Sequence, residues 1–325
     1  MNTILITGIT GFVGSHLADY ILSLGFKDVN IYGLSRWRSP RDNISHIEDK
    51  IIMCHGDLLD AHSINKCLKE VQPDIIFHLA AQSYVPYSFQ APASTLDINC
   101  LGTLNLLEGI KVLKFEHGYD PIVHICSSSE VYGQVDPANI PIKEDCPFNP
   151  ASPYAVSKVT EDMLGLQYWL SYQIKTIRTR MFTHTGPRRG EVFVVSNFAK
   201  QIVQIEKELK EPVIHVGNLE SVRTFADVRD TVRAYWKLVK ICPPGEVYNI
   251  GGSVTMTIKE MLDKLLSFST AKDIEIVPTE SRMRPSDVTL QIPCVDKFKN
   301  ITGWKPMIDF DTTLQDTLSY WRERL

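Results

Sequence analysis

Tyr154 and Lys158, in the segment YAVSK, are the two residues of this chain whose types and spacing most directly suggest chemistry. If the segment is helical, both side chains lie on one face, one turn apart. A lysine ammonium one turn from a phenol stabilises the phenolate and lowers the pKa of the tyrosine. A tyrosine that ionises nearer neutral pH can take a proton from a hydroxyl group, so that the carbon beneath releases a hydride. Because this spacing also occurs by chance on many helices, the interpretation depends on the rest of the chain.

The N-terminal segment predicts a strand, a glycine-rich turn and a helix. Residues 3–7 (TILIT) form an apolar run typical of a strand buried on both faces, and apolar residues recur at helical spacing after the turn. Glycines allow a tight turn and a close approach of the backbone to a pyrophosphate, which the helix N-terminus attracts. Because strand, turn and helix occur together, we expect a dinucleotide site. The turn residues expected to contact the dinucleotide are Gly8, Gly11, Phe12, Val13 and Gly14.

The alternation of strand and helix continues to Phe182. Further strands are predicted at residues 29–34, 51–54, 75–79, 122–126 and 176–182, and further helices at 93–111 and from 154 to about 173. Repeated βα units indicate the α/β class, here a Rossmann-type doubly wound parallel sheet. We therefore expect residues 1–182 to form a dinucleotide-binding domain, to which the chain returns over about residues 217–250.

Small and polar residues follow several of these strands at their carboxyl ends, where open α/β sheets bind their ligands. The acidic residue after the third strand is placed to contact adenine, and the small residues after the fourth let the backbone approach the cofactor. A serine-rich segment that ends in a glutamate follows the fifth strand. The residues concerned are Asp57, Leu58, Ala80, Ala81, Ser127, Ser128, Ser129 and Glu130.

Ser35 and Arg36 end the second predicted strand, where dinucleotide folds often carry an acidic residue that binds the ribose 2′-hydroxyl. An acid is absent there and a guanidinium is present, which favours a 2′-phosphate and therefore NADP over NAD. The alternative interpretation is a solvated basic loop, because Arg38 and Arg41 follow.

Beyond Phe182 the pattern becomes shorter and more mixed. Helices are predicted near residues 197–206, 227–240 and 258–266, with strands at 213–216, 247–250 and 274–277. We expect residues 183–325 to form a smaller mixed α/β domain that binds the substrate and is interleaved with the first domain. Residues 133–153 contain five prolines and are expected to form an ordered loop over the active site.

Composition and charge exclude several other classes of protein. The chain has 325 residues, a net charge of −4 and a pI near 6.1, which argues against a nucleic-acid or anionic-membrane surface. No apolar run reaches the roughly 18 residues of a membrane span, and the N-terminus lacks the regions of a signal peptide. The seven cysteines and nine histidines form no CxxC, HxxxH or HxH group. We therefore expect reduced thiols, no metal site and a cytoplasmic protein.

Four motifs together resemble the extended short-chain dehydrogenase/reductases that act on nucleotide sugars. They are TGITGFVG (residues 7–14), HLAAQSYV (78–85), SSSEVYG (127–133) and SPYAVSK (152–158), and the resemblance runs nearly end to end. PRRGEVFV at residues 187–194 is similar to the GDP-binding loop of GDP-mannose 4,6-dehydratases. GNLESVRTFADVRD, RMRPSDV and TGWKP resemble both those dehydratases and the GDP-4-keto-6-deoxymannose reductases.

The resemblance implies a GDP-hexose 4,6-dehydratase. Such an enzyme converts a GDP-sugar, of the GDP-mannose or GDP-N-acetylglucosamine type, to its 4-keto-6-deoxy derivative by internal hydride transfer through bound NADP. Ser128 then hydrogen-bonds the sugar 4-hydroxyl, Tyr154 deprotonates it, and Lys158 tunes Tyr154 and holds the nicotinamide ribose. Glu130 occupies the position of the C5 base and water-delivering acid. Contacts to the substrate are implied for Ser83, Thr183, Arg189, Glu191, Arg223 and Arg284.

Two departures from the family pattern leave the sugar open. Thr183 stands where the family usually has Asn, and Thr224 stands where it often has Asp. The alternative activity is an NADPH-dependent reductase of a 4-keto-6-deoxy sugar. Such an enzyme needs Ser128, Tyr154 and Lys158 but not Glu130. A third hypothesis is a non-catalytic dinucleotide sensor, although such proteins lose the tyrosine or lysine that is present here. The resemblance also implies a homodimer or homotetramer assembled through a four-helix interface.

Overall fold

The computed structural model describes residues 2–283, 285–286 and 288–325. Its strands, in chain order, are β1 (Asn2–Thr7), β2 (Val29–Ser35), β3 (Ile52–His55), β4 (Ile75–His78), β5 (Ile122–Ser128), β6 (Lys175–Met181), β7 (His184–Thr185), β8 (Val213–Val216), β9 (Val222–Asp227), β10 (Val247–Ile250), β11 (Val254–Thr257), β12 (Glu275–Pro278) and β13 (Leu290–Gln291). Its α-helices are α1 (Phe12–Ser23), α2 (Ala61–Val71), α3 (Val85–Gln90), α4 (Pro92–Leu96), α5 (Gly102–His117), α6 (Pro153–Tyr172), α7 (Val194–Glu206), α8 (Val228–Ile241), α9 (Ile258–Ser267), α10 (Asp296–Thr302) and α11 (Phe310–Arg322). A π-helical turn, Asp97–Leu101, joins α4 to α5.

The main sheet has seven strands among the described residues, in the order β3-β2-β1-β4-β5-β6-β10. All neighbouring strands are parallel. The chain winds outward from β1 to β3 and then returns to the other side of β1 through β4. The boundary between β1 and β4 is therefore the switch point at which ligands bind such sheets. The doubly wound α/β fold predicted from the sequence is confirmed.

Helices cover both faces of the main sheet, which explains why its strands are apolar without interruption. Ile4 and Ile6 of β1 pack into a cluster with α1 and α8, whereas Leu5 packs into a cluster with α2, α5 and α6. Alternate residues of a strand point to opposite faces, so a strand between two helical layers buries every side chain. Each fully buried aliphatic side chain contributes about 1.5–3 kcal/mol.

The smaller part of the molecule has separate sheets and a separate core. β11, β9 and β13 form a sheet in that order, β7 pairs with β9, and β12 pairs with β8. The apolar faces of α7, α9 and α11 pack together around Ile202, Met261 and Leu314. This region is mixed α/β, as the shorter pattern in the sequence indicates.

The structure differs from the sequence-based expectations in places that matter for the site. β5 extends through Ser127 and Ser128, because both residues continue the pairing with β6. β9 was not predicted, and its partners β7, β11 and β13 come from separate segments of the chain. The C-terminal helix α11 was also not predicted.

The proline-rich loop, residues 133–153, is ordered as expected but lies beside the cavity described below rather than over it. The amide of Ile142 donates to the carbonyl of Ile292, and the Asn249 side chain donates to the carbonyl of Ile142. The Arg180 guanidinium donates to the carbonyl of Glu144. These bonds hold the loop against the ends of β6 and β10, and its described residues do not line the cavity.

Candidate active site

A cavity of about 790 Å³ opens at the carboxyl ends of β5 and β6, between the main sheet and the smaller part. Its wall includes residues from the β5 end, the first turn of α6, the segment after β6 and the start of α7. The sequence-predicted site residues that line it are Ser83, Ser128, Glu130, Tyr154, Thr183, Arg189, Glu191 and Arg223. The fold thus brings together residues that are far apart in the chain.

The start of α6 positions the Tyr154–Lys158 pair. Ser152 is the N-cap, and its side chain accepts a hydrogen bond of 3.0 Å from the amide of Ala155. Pro153 occupies the first turn, where its missing N–H removes no helical bond. Tyr154 therefore lies at the helix start, facing the cavity, and Lys158 lies one turn deeper. Both side chains are buried, with the Lys158 Nζ 5.9 Å from the centre of the tyrosine ring.

Ser128 and Glu130 reach the same cavity from the end of β5. The chain leaves the strand through a short 3₁₀ turn, and the Ser128 hydroxyl accepts from the Glu130 amide at 3.2 Å. The Ser129 hydroxyl donates to the Gln291 side chain at 3.0 Å, which anchors the turn to β13. Glu130 is half-buried and lines the cavity together with Ser128 and Tyr154.

The pKa of Tyr154 differs from the sequence-based expectation. Burial raises the pKa of this phenol, because the surrounding protein disfavours the phenolate. The Lys158 ammonium and a hydrogen bond with Ser128 lower it, and a nearby carboxylate, Glu161, raises it. The effect of Lys158 has the predicted sign, but the predicted net lowering was wrong, because desolvation outweighs it.

Glu161 is a residue of this site that the sequence analysis missed. Lys158 Nζ donates to the carbonyl of Cys126 at 3.0 Å and to the Glu161 carboxylate at 2.9 Å. Burial raises the pKa of Glu161 to about 7, although the neighbouring Lys158 opposes the shift. The pKa of Lys158 is also raised: burial lowers it, but attraction to Glu161 and Tyr154 outweighs burial. The spacing Lys158–Glu161 in the sequence is compatible with a surface ion pair, so only the fold reveals a buried one.

The glycine-rich turn after β1 lies at the switch point of the main sheet. Gly8 has a φ of +72°, and a Cβ added there would lie 2.9 Å from the Cα of Ala80. A Cβ at Gly14 would lie 2.4 Å from the carbonyl oxygen of Gly8. A side chain at either position would therefore force the backbone apart, which explains the glycines.

The surroundings of this turn fit a dinucleotide. The hydroxyl of Thr7 accepts from the amides of Leu79 and Ala80, at 3.0 and 3.1 Å, and holds the two segments together. The N-cap of α1, Gly11, has no side-chain bond to the first helical amides. Those amides remain available for a pyrophosphate, which the helix dipole also favours. Phe12 and Val13 begin α1, and Ala81 follows Ala80 at the same edge.

Arg36 and Asp57 follow the neighbouring strands β2 and β3, on the adenosine side of this turn. Arg36 is exposed at the end of β2. Asp57 is exposed and accepts from the amide of Leu59 at 3.0 Å, while Leu58 is buried against Gly102. This arrangement leaves a cationic and a carboxylate side chain at the edge where an adenosine with a 2′-phosphate would lie.

Arg189 lines the cavity and contacts the start of α1. Its guanidinium lies 3.7 Å from the ring centre of Phe193 and 4.9 Å from that of Phe12. Desolvation lowers the pKa of Arg189 to about 10, so the side chain stays charged at neutral pH. A cation that is held by aromatic faces keeps its N–H groups available for an anionic ligand. His184 stacks on Phe12 at 5.8 Å and also lines the cavity.

The other arginines of the predicted substrate site have different surroundings. Arg223 is buried beside the cavity and donates to the carbonyls of Val222 and Val288. Arg188 pairs with Asp19 at 2.6 Å, outside the cavity lining. Arg284 lies outside the described residues.

Helix α7 supplies polar side chains that the sequence analysis did not single out. Lys200 pairs with Glu191, which is one of the predicted substrate contacts. Gln201 accepts from Lys210 at 2.5 Å and donates to Asn197 at 2.7 Å. The polar side chains of α7 that line the cavity are Asn197, Lys200, Gln201 and Gln204, and Lys210 and Arg282 line it from other segments. For the α7 residues the signal was the polar stripe on an otherwise apolar helix, which also fits a solvated face.

Two histidines near the site have structural surroundings. Burial lowers the pKa of His78 to about 3, and its two ring nitrogens lie 3.0 Å from the hydroxyls of Thr7 and Thr103. Burial also lowers the pKa of His184 to about 3. Both rings are therefore neutral near pH 7.

The described part of the chain holds no group of three or more His, Cys, Asp or Glu side chains arranged to bind a metal ion. The seven cysteines, all of which lie in this part, form no disulfide. Over the same residues, no helix is both long and apolar enough to cross a membrane.

Comparison with known proteins agrees with this geometry. The family model described as GDP-mannose 4,6 dehydratase matches residues 5–317. The GDP-6-deoxy-D-mannose reductase of Pseudomonas aeruginosa is 33% identical over 322 residues, which cover 99% of this chain and 98% of the relative. The GDP-mannose 4,6-dehydratase of Yersinia enterocolitica is 32% identical over 345 residues, which cover 95% and 90%.

Among solved structures, that of RMD from Pseudomonas aeruginosa complexed with NADPH is similar over the whole chain. Its TM-score is 0.85 at 33% identity, and the match covers 100% of both chains. Similarity of this extent includes the main sheet and the smaller part together.

Proposed function

We infer that this chain, which belongs to the GDP-mannose 4,6-dehydratase family, is a nucleotide-sugar 4,6-dehydratase, a hydro-lyase with NADP as its cofactor. Its substrate is a GDP-hexose of the GDP-mannose or GDP-N-acetylglucosamine type. The observation that carries this proposal is the position of Glu130, which lines one cavity with Ser128 and Tyr154. A reductase needs the serine and tyrosine but has no task for a carboxylate there.

The first half of the proposed reaction oxidises C4 of the sugar. Ser128 holds the 4-hydroxyl, and Tyr154 takes its proton as general base. Lys158 stabilises the phenolate and partly offsets the burial that raises the pKa of Tyr154. When bound, NADP would accept the hydride from C4 and return it to C6.

The second half removes water. A ketone at C4 acidifies the proton on C5, and Glu130 is placed to remove that proton and to protonate the departing 6-hydroxyl. One carboxyl group performs both tasks because both atoms belong to one sugar ring held in one cavity. The cofactor is not consumed over the complete reaction.

The cofactor is assigned to the edge between β1 and β4. Gly8, Gly11, Phe12, Val13 and Gly14 would surround the pyrophosphate, and Ala80 and Ala81 would lie against the rest of the cofactor; the close backbone approach at Gly8 and the open cap of α1 support this. Arg36 would bind the 2′-phosphate, Asp57 and Leu58 would contact adenine, and Lys158 would hold the nicotinamide ribose.

The nucleotide of the substrate is assigned to the outer part of the cavity. Arg189 and Arg223 provide cations for the diphosphate, which guanidinium groups bind with paired hydrogen bonds. Glu191 exchanges its Lys200 partner for the nucleotide ribose. Ser83 and Thr183 contact the sugar, and the threonine is the residue that distinguishes this pocket from the usual asparagine pocket of the family.

The second candidate is the NADPH-dependent reductase, because the Pseudomonas aeruginosa reductase matches this chain over nearly its whole length. Incubation with a GDP-hexose and catalytic NADP⁺ separates the two activities. A dehydratase forms a keto sugar, detected by product mass, with no net change in NADPH. A strict need for a keto substrate and stoichiometric NADPH would contradict the proposal, and absence of turnover with every nucleotide hexose tried would favour a dinucleotide sensor.

We further propose that residues 1–182 form the NADP-binding domain and residues 183–325 the GDP-sugar domain. The returning segment is Val228–Ile241 and Val247–Ile250, since α8 covers the main sheet and β10 joins it, whereas β9 belongs to the smaller sheet. A limited proteolysis experiment that separates stable fragments at these boundaries tests the division.

We also propose a cytoplasmic homodimer or homotetramer. The outer faces of α5 and α6 expose large apolar side chains, including Phe115 and Leu170 at 69% and 65% exposure. Two such helices from each of two copies make the four-helix interface, which would cover this surface. Sedimentation of the wild type against a Phe115→Glu, Leu170→Glu variant tests the assembly.

A further inference from the structure

Glu161 and Lys158 form a buried ion pair directly behind Tyr154. Glu161 is 1% exposed, and both of its carboxylate oxygens lie 2.9 Å from the Lys158 Nζ. The Nζ also donates to the carbonyl of Cys126. An ammonium group has three N–H bonds, and the hydrogen bonds to Glu161 and to the Cys126 carbonyl use two of them.

The pair is incompletely satisfied. The Oε1 atom of Glu161 receives no well-directed hydrogen bond from the described residues, although it is fully enclosed. A buried carboxylate in that position is expensive, and a merely structural role would be served better by a second donor. Glu161 therefore has Lys158 as its charged partner, with no second donor to Oε1 among the described residues.

Other titratable groups near the pair are mostly neutral near pH 7. Burial lowers the pKa of both His78 and His124 to about 3, and burial raises the pKa of both Cys100 and Cys126. The charged neighbour on the same helix is Asp162, whose carboxylate is already bound by two arginines of β6. The groups that face the pair are Tyr154, Asp162, Cys100, Cys126, His78 and His124, with Arg178 and Arg180 behind Asp162.

We propose that Glu161 is a positioning residue that sets how strongly Lys158 acts on Tyr154. This assignment deepens the reaction proposed above and rests on Tyr154 as its base. When Glu161 is ionised, it holds the Lys158 ammonium and cancels much of its charge, so the tyrosine keeps its proton. When Glu161 is protonated, the full charge of Lys158 acts on the phenol and favours the phenolate.

The proton affinity of Tyr154 then depends on the charge of Glu161, a carboxyl group that does not contact the substrate. Tyr154, Lys158 and Glu161 then act as a coupled set, in which a proton on one group changes the affinity of the next for protons. The described structure supports this coupling, since Glu161 raises and Lys158 lowers the pKa of Tyr154.

The test is an ultraviolet titration of tyrosinate that needs no substrate. The difference between each protein and its Tyr154→Phe counterpart isolates Tyr154 from the other eleven of the twelve tyrosines. Glu161→Gln keeps an oxygen that accepts from Lys158 but removes the charge. It should move the midpoint of the Tyr154 titration to lower pH by roughly one unit. Glu161→Asp keeps the charge and should restore the midpoint toward the wild-type value.

Glu108→Gln is the matched control. Glu108 lies on α5, which neighbours α6, and also pairs with a lysine three residues away on its own helix, Lys111. It should leave the Tyr154 midpoint unchanged. A Glu161→Gln protein that melts earlier but titrates like the wild type would overturn the proposal and leave Glu161 a structural partner of Lys158. The tyrosinate titration does not depend on turnover, so failure of the proposed dehydration would not affect it. If the enzyme does turn over, the acid limb of its pH–activity profile should also move to lower pH in Glu161→Gln.

Discussion

Two adjacent acidic residues on α6, Glu161 and Asp162, are both buried but have opposite surroundings. Asp162 is fully buried, and its two oxygens accept from Arg178 at 2.7 Å and from Arg180 at 2.8 Å. Arg180 also donates to the Tyr132 hydroxyl at 2.9 Å. Glu161 has one lysine partner, whose Nζ lies 2.9 Å from both carboxylate oxygens, and its Oε1 receives no well-directed hydrogen bond from the described residues.

The different surroundings of the two carboxylates indicate a structural role for Asp162 and a role in the active site for Glu161. The Asp162 cluster ties α6 to β6 and to the proline-rich loop. Its carboxylate is saturated, because both oxygens accept a hydrogen bond, although the Arg178 Nε finds no partner among the described residues. The Glu161 carboxylate is unsaturated, because its Oε1 lacks a well-directed hydrogen bond. The saturated carboxylate should therefore govern stability, and the unsaturated one should govern activity.

The largest expected effect comes from the unsaturated cluster. Tyr154→Phe removes the phenolic oxygen and nothing else, so turnover should fall by on the order of 10³–10⁴-fold. Thermal melting should change little, because the ring stays buried. Steady-state kinetics beside a melting curve checks this, and near-normal turnover would remove Tyr154 from the mechanism.

Asp162→Asn tests the saturated cluster. It leaves two buried guanidinium groups without a counter-charge, and the free energy of unfolding should fall by about 3–5 kcal/mol. Denaturant unfolding measures this change. The fraction that remains folded should keep near-normal kcat, and a loss of kcat at unchanged stability would reverse the assignment of the two clusters.

Arg36→Ala extends the comparison to an exposed cation. Loss of a charged hydrogen bond to the 2′-phosphate should weaken NADP binding by about 1.5–3 kcal/mol and leave NAD binding nearly unchanged. Calorimetric titration with both cofactors measures the difference. Arg41→Ala is the control on the same loop, because Arg41 already pairs with Glu48. An equal loss for both cofactors, or a native preference for NAD, would refute the NADP assignment.

Glu206→Gln tests a saturated pair far from the cavity, which links α7 to α11. The two Arg322 bonds, at 2.8 Å each, lower the pKa of Glu206 from 4.5 to about 2. The carboxylate therefore stabilises the fold above about pH 4.5, and this contribution disappears as the pH falls through about 2. The variant should lose about 1–2 kcal/mol of unfolding free energy near pH 7.

The control for this pair is Glu70→Gln. Glu70 forms an exposed pair with Lys66 at 3.9 Å, and its removal should change stability by less than about 0.5 kcal/mol. Measurement of unfolding from pH 7 down to about pH 2 tests the sign. A stability difference between wild type and Glu206→Gln that grows as the pH falls would contradict it.

Much of the fold could be predicted from local sequence. The apolar run at residues 3–7 and the glycines after it predict the strand and the tight turn at the switch point. They do so because these residue types determine the local backbone conformation. β9 and α11 could not be predicted in this way. Their apolar residues are buried only by partners from other segments, and no local pattern contains that information.

The same limit applies to the site. Tyr154 and Lys158 were predicted from their spacing, and Ser128 and Glu130 from their place after a predicted strand, while the roles of the last two came from the family resemblance. The role of Glu161 depends on its buried pairing with Lys158. The contact of Arg189 with Phe12 depends on tertiary packing, because the two residues are far apart in the chain. Such pairings are properties of the folded chain.

Glu130→Gln tests the central claim most directly. The substitution keeps the size of the side chain and removes the base, while Tyr154 remains intact. If the chain is a dehydratase, oxidation at C4 still occurs but loss of water does not follow efficiently.

The measurement is product mass together with absorbance of the reduced cofactor, in single-turnover and multiple-turnover reactions with a GDP-hexose. The account predicts normal binding of NADP⁺ and sugar nucleotide, reduced cofactor that accumulates on the enzyme, and overall turnover that is lower by on the order of 10²–10⁴-fold. A Glu130→Gln enzyme with near-normal turnover would contradict the account and favour the reductase.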